Sequence, residues 1–181
     1  SLPGQRVIDA FAGAGGKTLH GAALMQNKGR VLALGTDPRK LEELRKRSKR
    51  AGIAIIETRV IDTTKVIKRM YGTADRLLLD VPCSGLGVLR RNPDSKWRLQ
   101  PEEIERLKKT QADILQRYAP IVKGGGFMVY ATCSILPSEG EAQIAEFMKN
   151  NGENWLLVEE QRFGPHTHNS DGFYIAVLKR N

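Results

Sequence analysis

Short runs of β-branched and leucine residues alternate along the chain with longer stretches whose apolar positions recur every three or four residues. The short runs predict strands at Arg6–Ala10, Val31–Gly35, Ile53–Thr58, Ala74–Asp80, Gly126–Thr132, Trp155–Val158 and Phe173–Lys179. The longer stretches predict helices at Gly16–Met25, Pro38–Arg50, Thr63–Tyr71, Pro101–Ile121 and Ser138–Asn150. Pro38, Pro101 and Pro137 stand where a first-turn proline is tolerated, because the amide it lacks has no helical partner there. Gly52 and Gly124 stand where helices commonly end on glycine. Strands separated by helices build parallel βαβ units with right-handed crossovers. The predicted fold is therefore α/β: a mostly parallel, doubly wound seven-stranded sheet with helices on both faces. No helical pattern fills 159–172, so the last two strands should pair antiparallel.

In such sheets a ligand binds beyond the carboxyl ends of the strands. The first strand opens into Asp9-Ala10-Phe11-Ala12-Gly13-Ala14-Gly15-Gly16-Lys17-Thr18. A glycine-rich turn of this kind lets a ligand approach the backbone and presents helix N-terminal amides, or it is simply a tight connection. Thr18 stands where a dinucleotide fingerprint needs its third glycine, and Ala12 where a P-loop needs its first. The second strand ends at Asp37, suited to accept ribose hydroxyls, to cap the helix at Pro38, or both. Asp62 follows the third strand; taken alone it reads as a helix cap. The fourth strand runs into Asp80-Val81-Pro82-Cys83-Ser84-Gly85, and the fifth into Ala131-Thr132-Cys133-Ser134. Both cysteines thus fall at the ligand edge, and neighbouring strands lie ~5 Å apart, so both thiols could face one substrate.

The chain has 181 residues and only two cysteines, which is no disulfide framework and points to a reducing, cytoplasmic setting. The cysteines are 50 apart, neither in a CxxC pair, and His166 and His168 lie far along the chain, so no metal site is expected. No apolar run approaches the length of a membrane span, and Ser1-Leu2-Pro3-Gly4 lacks the pattern of a signal peptide. Lys plus Arg is 29 against 20 for Asp plus Glu, a net charge of +9, which suggests a polyanionic partner, nucleic acid first. Two segments concentrate the charge. Arg39, Lys40, Arg45, Lys46, Arg47, Lys49 and Arg50 crowd the second helix, where a solvated face explains them equally well. The segment after Cys83 carries Arg90, Arg91, Lys96, Trp97 and Arg98, a mixture suited to phosphates and unstacked bases.

Taken together, Asp9…Gly15-Gly16-Lys17-Thr18, Asp80-x-Pro82-Cys83-Ser84-Gly85, Arg90-Arg91-x-Pro93-Asp94 and Ala131-Thr132-Cys133-Ser134 resemble the Sun/Fmu family of RNA (cytosine-5)-methyltransferases. Pro137-x-Glu139-x-Glu141 and Asp171-Gly172-Phe173-Tyr174 match as well, so the resemblance covers nearly the whole chain in order. It implies a class I S-adenosylmethionine-dependent methyltransferase fold and a single catalytic domain over 1–181, acting as a monomer in the cytoplasm. The family's N-terminal RNA-binding region is expected to lie outside it, so RNA affinity would come from this domain's charge or from a separate domain or protein. By the same resemblance, Phe11, Ala12, Gly13, Ala14, Gly15, Gly16 and Lys17 would contact the methionine part of S-adenosylmethionine. Asp37 would hold its ribose, Asp62 its adenine side, and Asp80 would lie near its amino group and the target base. Cys133 would be the nucleophile, and Cys83 would assist release of the product. One departure stands out: Phe11-Ala12-Gly13-Ala14 replaces the family's Cys-Ala-Ala-Pro-like run, keeping the glycine turn but loosening the loop.

The chemistry explains the residues. Carbon 5 of cytosine is a poor nucleophile until a thiolate adds at carbon 6. Lys17 and nearby helix N-termini would favour the Cys133 thiolate. Cys83 or Asp80 would handle the proton that leaves carbon 5. Ribosomal RNA is the expected substrate, with transfer RNA as the alternative. A non-catalytic RNA-binding scaffold is the competing class. A DNA cytosine-5 enzyme would use the Pro-Cys cysteine and leaves Thr-Cys unexplained, and Thr18 disfavours a nicotinamide dehydrogenase.

Overall fold

The computed structural model describes residues 2–181, with the side chains of Arg98, His166 and Thr167 outside the described set. Its strands are β1 (Arg6–Asp9), β2 (Arg30–Gly35), β3 (Ile56–Val60), β4 (Ala74–Asp80), β5 (Val122–Thr132), β6 (Trp155–Phe163) and β7 (Phe173–Arg180). They form one seven-stranded sheet in the order β3-β2-β1-β4-β5-β7-β6. β1 pairs parallel with β2 and β4, and β2 with β3. The β6–β7 pair is antiparallel, as expected from the missing crossover helix. The helices are α1 (Gly16–Leu24), α2 (Pro38–Arg50), α3 (Thr64–Lys68), α4 (Ser95–Arg98), α5 (Pro101–Tyr118), α6 (Glu141–Asn151) and α7 (Pro165–His168).

The chain forms two compact units. The first holds the residues up to Asp80 together with Ala119–Met128; the second holds Val81–Tyr118 and Val129–Asn181. In the first, Val31–Leu34 is buried without a break, as befits a parallel strand flanked by other strands. α2 buries only Leu41, Leu44 and Ser48 and turns its charges outward. Asp37 caps it by accepting the Arg39 amide at 2.9 Å, and Arg47, Lys49 and Arg50 sit in its last turn, where cations complement the helix dipole. Leu41 and Leu44 close a core cluster with Ala12 and Ala33. In the second unit α5 buries Leu107, Ile114 and Leu115, and the Phe147 ring of α6 meets Trp155 edge-on at 5.8 Å.

The structure corrects several expected boundaries. β3 starts at Ile56 rather than Ile53: Ile53 still donates to Ser48 at the end of α2, and the Ala54 amide goes to the Asn27 side chain. α5 stops at Tyr118 because Pro120 has no amide to continue it, and a 3₁₀ turn over Ala119–Ile121 leads into a longer β5. Gly124 therefore lies inside β5 and ends no helix. α3 is shorter than predicted and takes Thr63, not Asp62, as its N-cap. α6 begins at Glu141, after a separate 3₁₀ turn over Pro137–Glu139. β6 extends to Phe163 and is followed by α7, where no helix was expected. Glu159-Glu160-Gln161-Arg162 reads as a loop because β6 is an edge strand whose end buries no apolar face.

Leu44 is fully buried, so Leu44→Ala should cost about 2–5 kcal/mol. The measurement is urea unfolding, with a lowered midpoint and an unchanged slope.

Candidate active site

In the first unit, Asp9 at the end of β1 is buried and organises the glycine-rich loop. Its carboxylate accepts the Thr18 hydroxyl at 2.6 Å and the Phe11 amide at 3.3 Å. Burial pushes its pKa up, opposed by those two hydrogen bonds. The loop is tight: the Ala12 amide donates to Leu34 at 3.0 Å and the Gly15 amide to Ala12 at 2.8 Å. Gly15 has φ of 88°, and a Cβ there would lie 2.0 Å from Leu44 Cδ1, so both backbone and space demand glycine. Arg47 of α2 donates to the Ala14 carbonyl at 2.7 Å, which makes it a brace for the loop rather than part of a solvated face. Lys17 Nζ pairs with Asp80 Oδ2 at 2.6 Å, tying the start of α1 to the end of β4.

β3, β2, β1 and β4 are adjacent and parallel, so the predicted cofactor residues share one edge. Phe11–Lys17 follows β1, Asp37 follows β2, Asp62 follows β3, and Asp80 ends β4. A Cβ at Gly13 or Gly16 would meet nothing within 4 Å, which leaves the loop open to close approach. This open glycine face, the α1 amides and three carboxylates suit a ligand that carries an ammonium group and ribose hydroxyls.

The second unit brings the two thiols together. The Val81 amide donates to Ala131 at 3.1 Å, aligning the segments that lead to each cysteine. Cys83 Sγ and Cys133 Sγ lie 3.3 Å apart and are not disulfide-bonded. The hydrogen bond with Cys133, followed by burial, pushes the Cys83 thiol far up, so Cys83 keeps its proton. Behind the thiols stands Glu139, fully buried. Its carboxylate accepts the Ser84 amide at 2.9 Å, the Ser84 hydroxyl at 2.5 Å, the Ser134 hydroxyl at 2.5 Å and the Gln111 side-chain amide at 3.0 Å. The Gly87 amide donates to the Cys133 carbonyl at 3.0 Å, and the Gly172 amide to Gly87 at 2.8 Å. A Cβ on Gly87 would lie 2.0 Å from the Gly172 oxygen, so these backbones touch directly. Arg162 donates to the Ser134 carbonyl at 3.0 Å and pairs with Glu141, steadying the turn after Cys133.

Glu139, Ser84, Ser134, Gln111 and Arg162 were not expected to support the site, although Glu139 belongs to one of the quoted motifs. The available signal was a serine after each cysteine with an acid five residues beyond the second. Of the predicted RNA contacts, Arg90 is exposed, Arg91 is 77% exposed but reaches Asp171 at 2.9 Å, and Lys96 lies over the Trp97 ring at 4.8 Å. The Arg98 side chain lies outside the described residues.

A family model described as 16S rRNA methyltransferase RsmB/F matches residues 2–179. The chain belongs to this family. Among curated relatives, the probable ribosomal RNA small subunit methyltransferase B of Synechocystis is 38% identical, over 98% of this chain and 44% of its own length. The crystal structure of PH0851 is 35% identical with a TM-score of 0.93, over 98% of this chain and 43% of that one. NSun6 from Pyrococcus horikoshii, solved with the S-adenosylmethionine analogue SFG, is 28% identical with a TM-score of 0.87, over 99% of this chain and 49% of its own. This RsmB/F chain thus spans less than half the length of these relatives. With its sheet and these neighbours, its fold is that of the class I methyltransferases.

Thiolate absorbance followed against pH checks the thiol pair. One thiol should ionise while the other holds its proton. In Cys133→Ala, which removes the main cause of the shift, Cys83 should ionise at lower pH than in the unaltered chain. Two thiols ionising together at the ordinary value of ~8.5 would contradict the coupling.

Proposed function

We propose that this domain transfers a methyl group from S-adenosylmethionine to carbon 5 of a cytosine in RNA, ribosomal RNA in the first instance, through a covalent adduct with Cys133. The observation that carries this is the pair of thiols 3.3 Å apart on two braced loops, in a chain of an rRNA methyltransferase family. S-adenosylmethionine, when bound, would supply an electrophilic methyl group on a sulfonium, with the neutral thioether S-adenosylhomocysteine as the leaving group. Phe11–Lys17 would hold its methionine part, Asp37 its ribose, Asp62 its adenine side and Asp80 its amino group. The Cys133 thiolate adds to carbon 6, forming a C–S bond and making carbon 5 enamine-like. After carbon 5 is methylated, its proton leaves and the C–S bond breaks, restoring the ring. Cys83, held protonated beside Cys133, would hydrogen-bond to the Cys133 sulfur as it departs as a thiolate, and Asp80, in its pair with Lys17, would take the proton from carbon 5. Arg90, Arg91, Lys96 and Arg98 are the proposed RNA contacts, with the target base drawn out of its stack to reach the thiols.

The test is transfer of labelled methyl groups to small-subunit rRNA. Cys133→Ala should abolish transfer. Cys83→Ala should accumulate a protein–RNA adduct that survives denaturing electrophoresis. A fully active Cys133→Ala variant would overturn the mechanism.

A further inference from the structure

A groove of about 580 Å³ opens in the second unit, beside the thiol loops. Its apolar wall is Leu86 and Leu89 from the segment after Cys83, Ile135 two residues beyond Cys133, and Phe163 and Pro165 from the tip that joins β6 to α7. The volume falls within the ~300–1,000 Å³ of small-molecule sites, room enough for a nucleotide. The groove adjoins the segment that carries Cys133, because the Gly87 amide in its wall is bonded to the Cys133 carbonyl at 3.0 Å. Ile135 remains 48% exposed there, an open apolar face next to the proposed nucleophile.

The charges at the groove select its occupant. Arg162 is committed to Glu141 and to the Ser134 carbonyl, and Asp171 to Arg91. Among the described residues this leaves Arg90 as the lining cation not bound to a carboxylate. An apolar wall with one ring, beneath a cationic rim, fits a base whose phosphate lies at the rim. Drawing a cytosine out of its stack also strips a neighbouring base of its stacking partner, and a surface here replaces that partner.

We propose that this groove is a subsite for the unpaired base adjacent to the target cytosine in single-stranded RNA. The proposal rests on the cytosine reading above. It makes Phe163 and Leu89 specificity-determining contacts that lie outside the methyl-transfer machinery.

The probe is a short single-stranded oligoribonucleotide that carries 5-fluorocytidine, with the base on each side of it either adenine or an abasic site. Its affinity is measured for this chain and for Phe163→Ala and Leu89→Ala. For the unaltered chain, the abasic site on one side should weaken binding by about 5-fold or more, and each variant should bind the intact probe more weakly by a similar factor. Combined with the abasic probe, the variants should show little further loss, the signature of a direct contact. Equal losses in the unaltered chain and both variants, or no dependence on either flanking base, would overturn the subsite. Adduct formation at Cys133 is read in parallel samples to which S-adenosylmethionine is added. An adduct without flanking-base dependence refutes the groove alone. Flanking-base dependence without an adduct refutes the cytosine mechanism and leaves the groove standing.

Discussion

A buried carboxylate holds the two thiols in place. Glu139 has no exposed surface, and an ionised group in that position is costly unless every oxygen is satisfied. Four donors satisfy it, three of them from Ser84 and Ser134, the residues that follow the two cysteines. The cysteines are 50 positions apart in the chain, yet each is one residue from a serine on the same carboxylate. The Tyr130 hydroxyl fixes the Glu139 backbone by donating to its carbonyl at 2.9 Å, and Gln111 anchors the carboxylate to α5. Losing one member would leave buried donors without acceptors, each costing about 1–3 kcal/mol. The thiol contact therefore follows from a network that is expensive to distort.

The first unit repeats the device in a smaller form. Asp9 is a buried carboxylate whose partners, the Thr18 hydroxyl and the Phe11 amide, bracket the glycine-rich loop. The Lys17–Asp80 pair differs: with side chains 49% and 28% exposed, it adds little to stability. Its value lies in direction, because it fixes an ammonium and a carboxylate at the start of α1 and the end of β4. Gly15 and the Gly87–Gly172 contact complete the frame by permitting backbone approaches that any side chain would block.

Much of this was legible in the sequence. β2 and β4 announced themselves as the apolar runs Val31–Leu34 and Leu77–Leu79, since strands inside the sheet leave little polar alternation to confuse them. Asp9, Asp37, Asp62, Asp80, Cys83 and Cys133 could be placed at or just beyond the carboxyl ends of their strands from the sequence pattern alone. What escaped has physical reasons. The end of β6 lies at the edge of the sheet and carries polar residues, so it has the composition of a loop. Gly124 looks like a helix end because glycine marks both helix ends and strand irregularities, and only the position of Pro120 distinguishes the two. Glu139 was visible as a motif member, but its role depends on burial against two serines that are distant in sequence.

The central claim is that Glu139 holds Cys83 and Cys133 as a coupled pair. The most direct measurement is thiolate absorbance against pH in Glu139→Ala, with far-ultraviolet circular dichroism confirming that the chain stays folded. With the carboxylate gone, the loops should separate, and the wide gap between the two thiol ionisations should close. A folded Glu139→Ala chain whose thiols still ionise as far apart as in the unaltered protein would contradict the account.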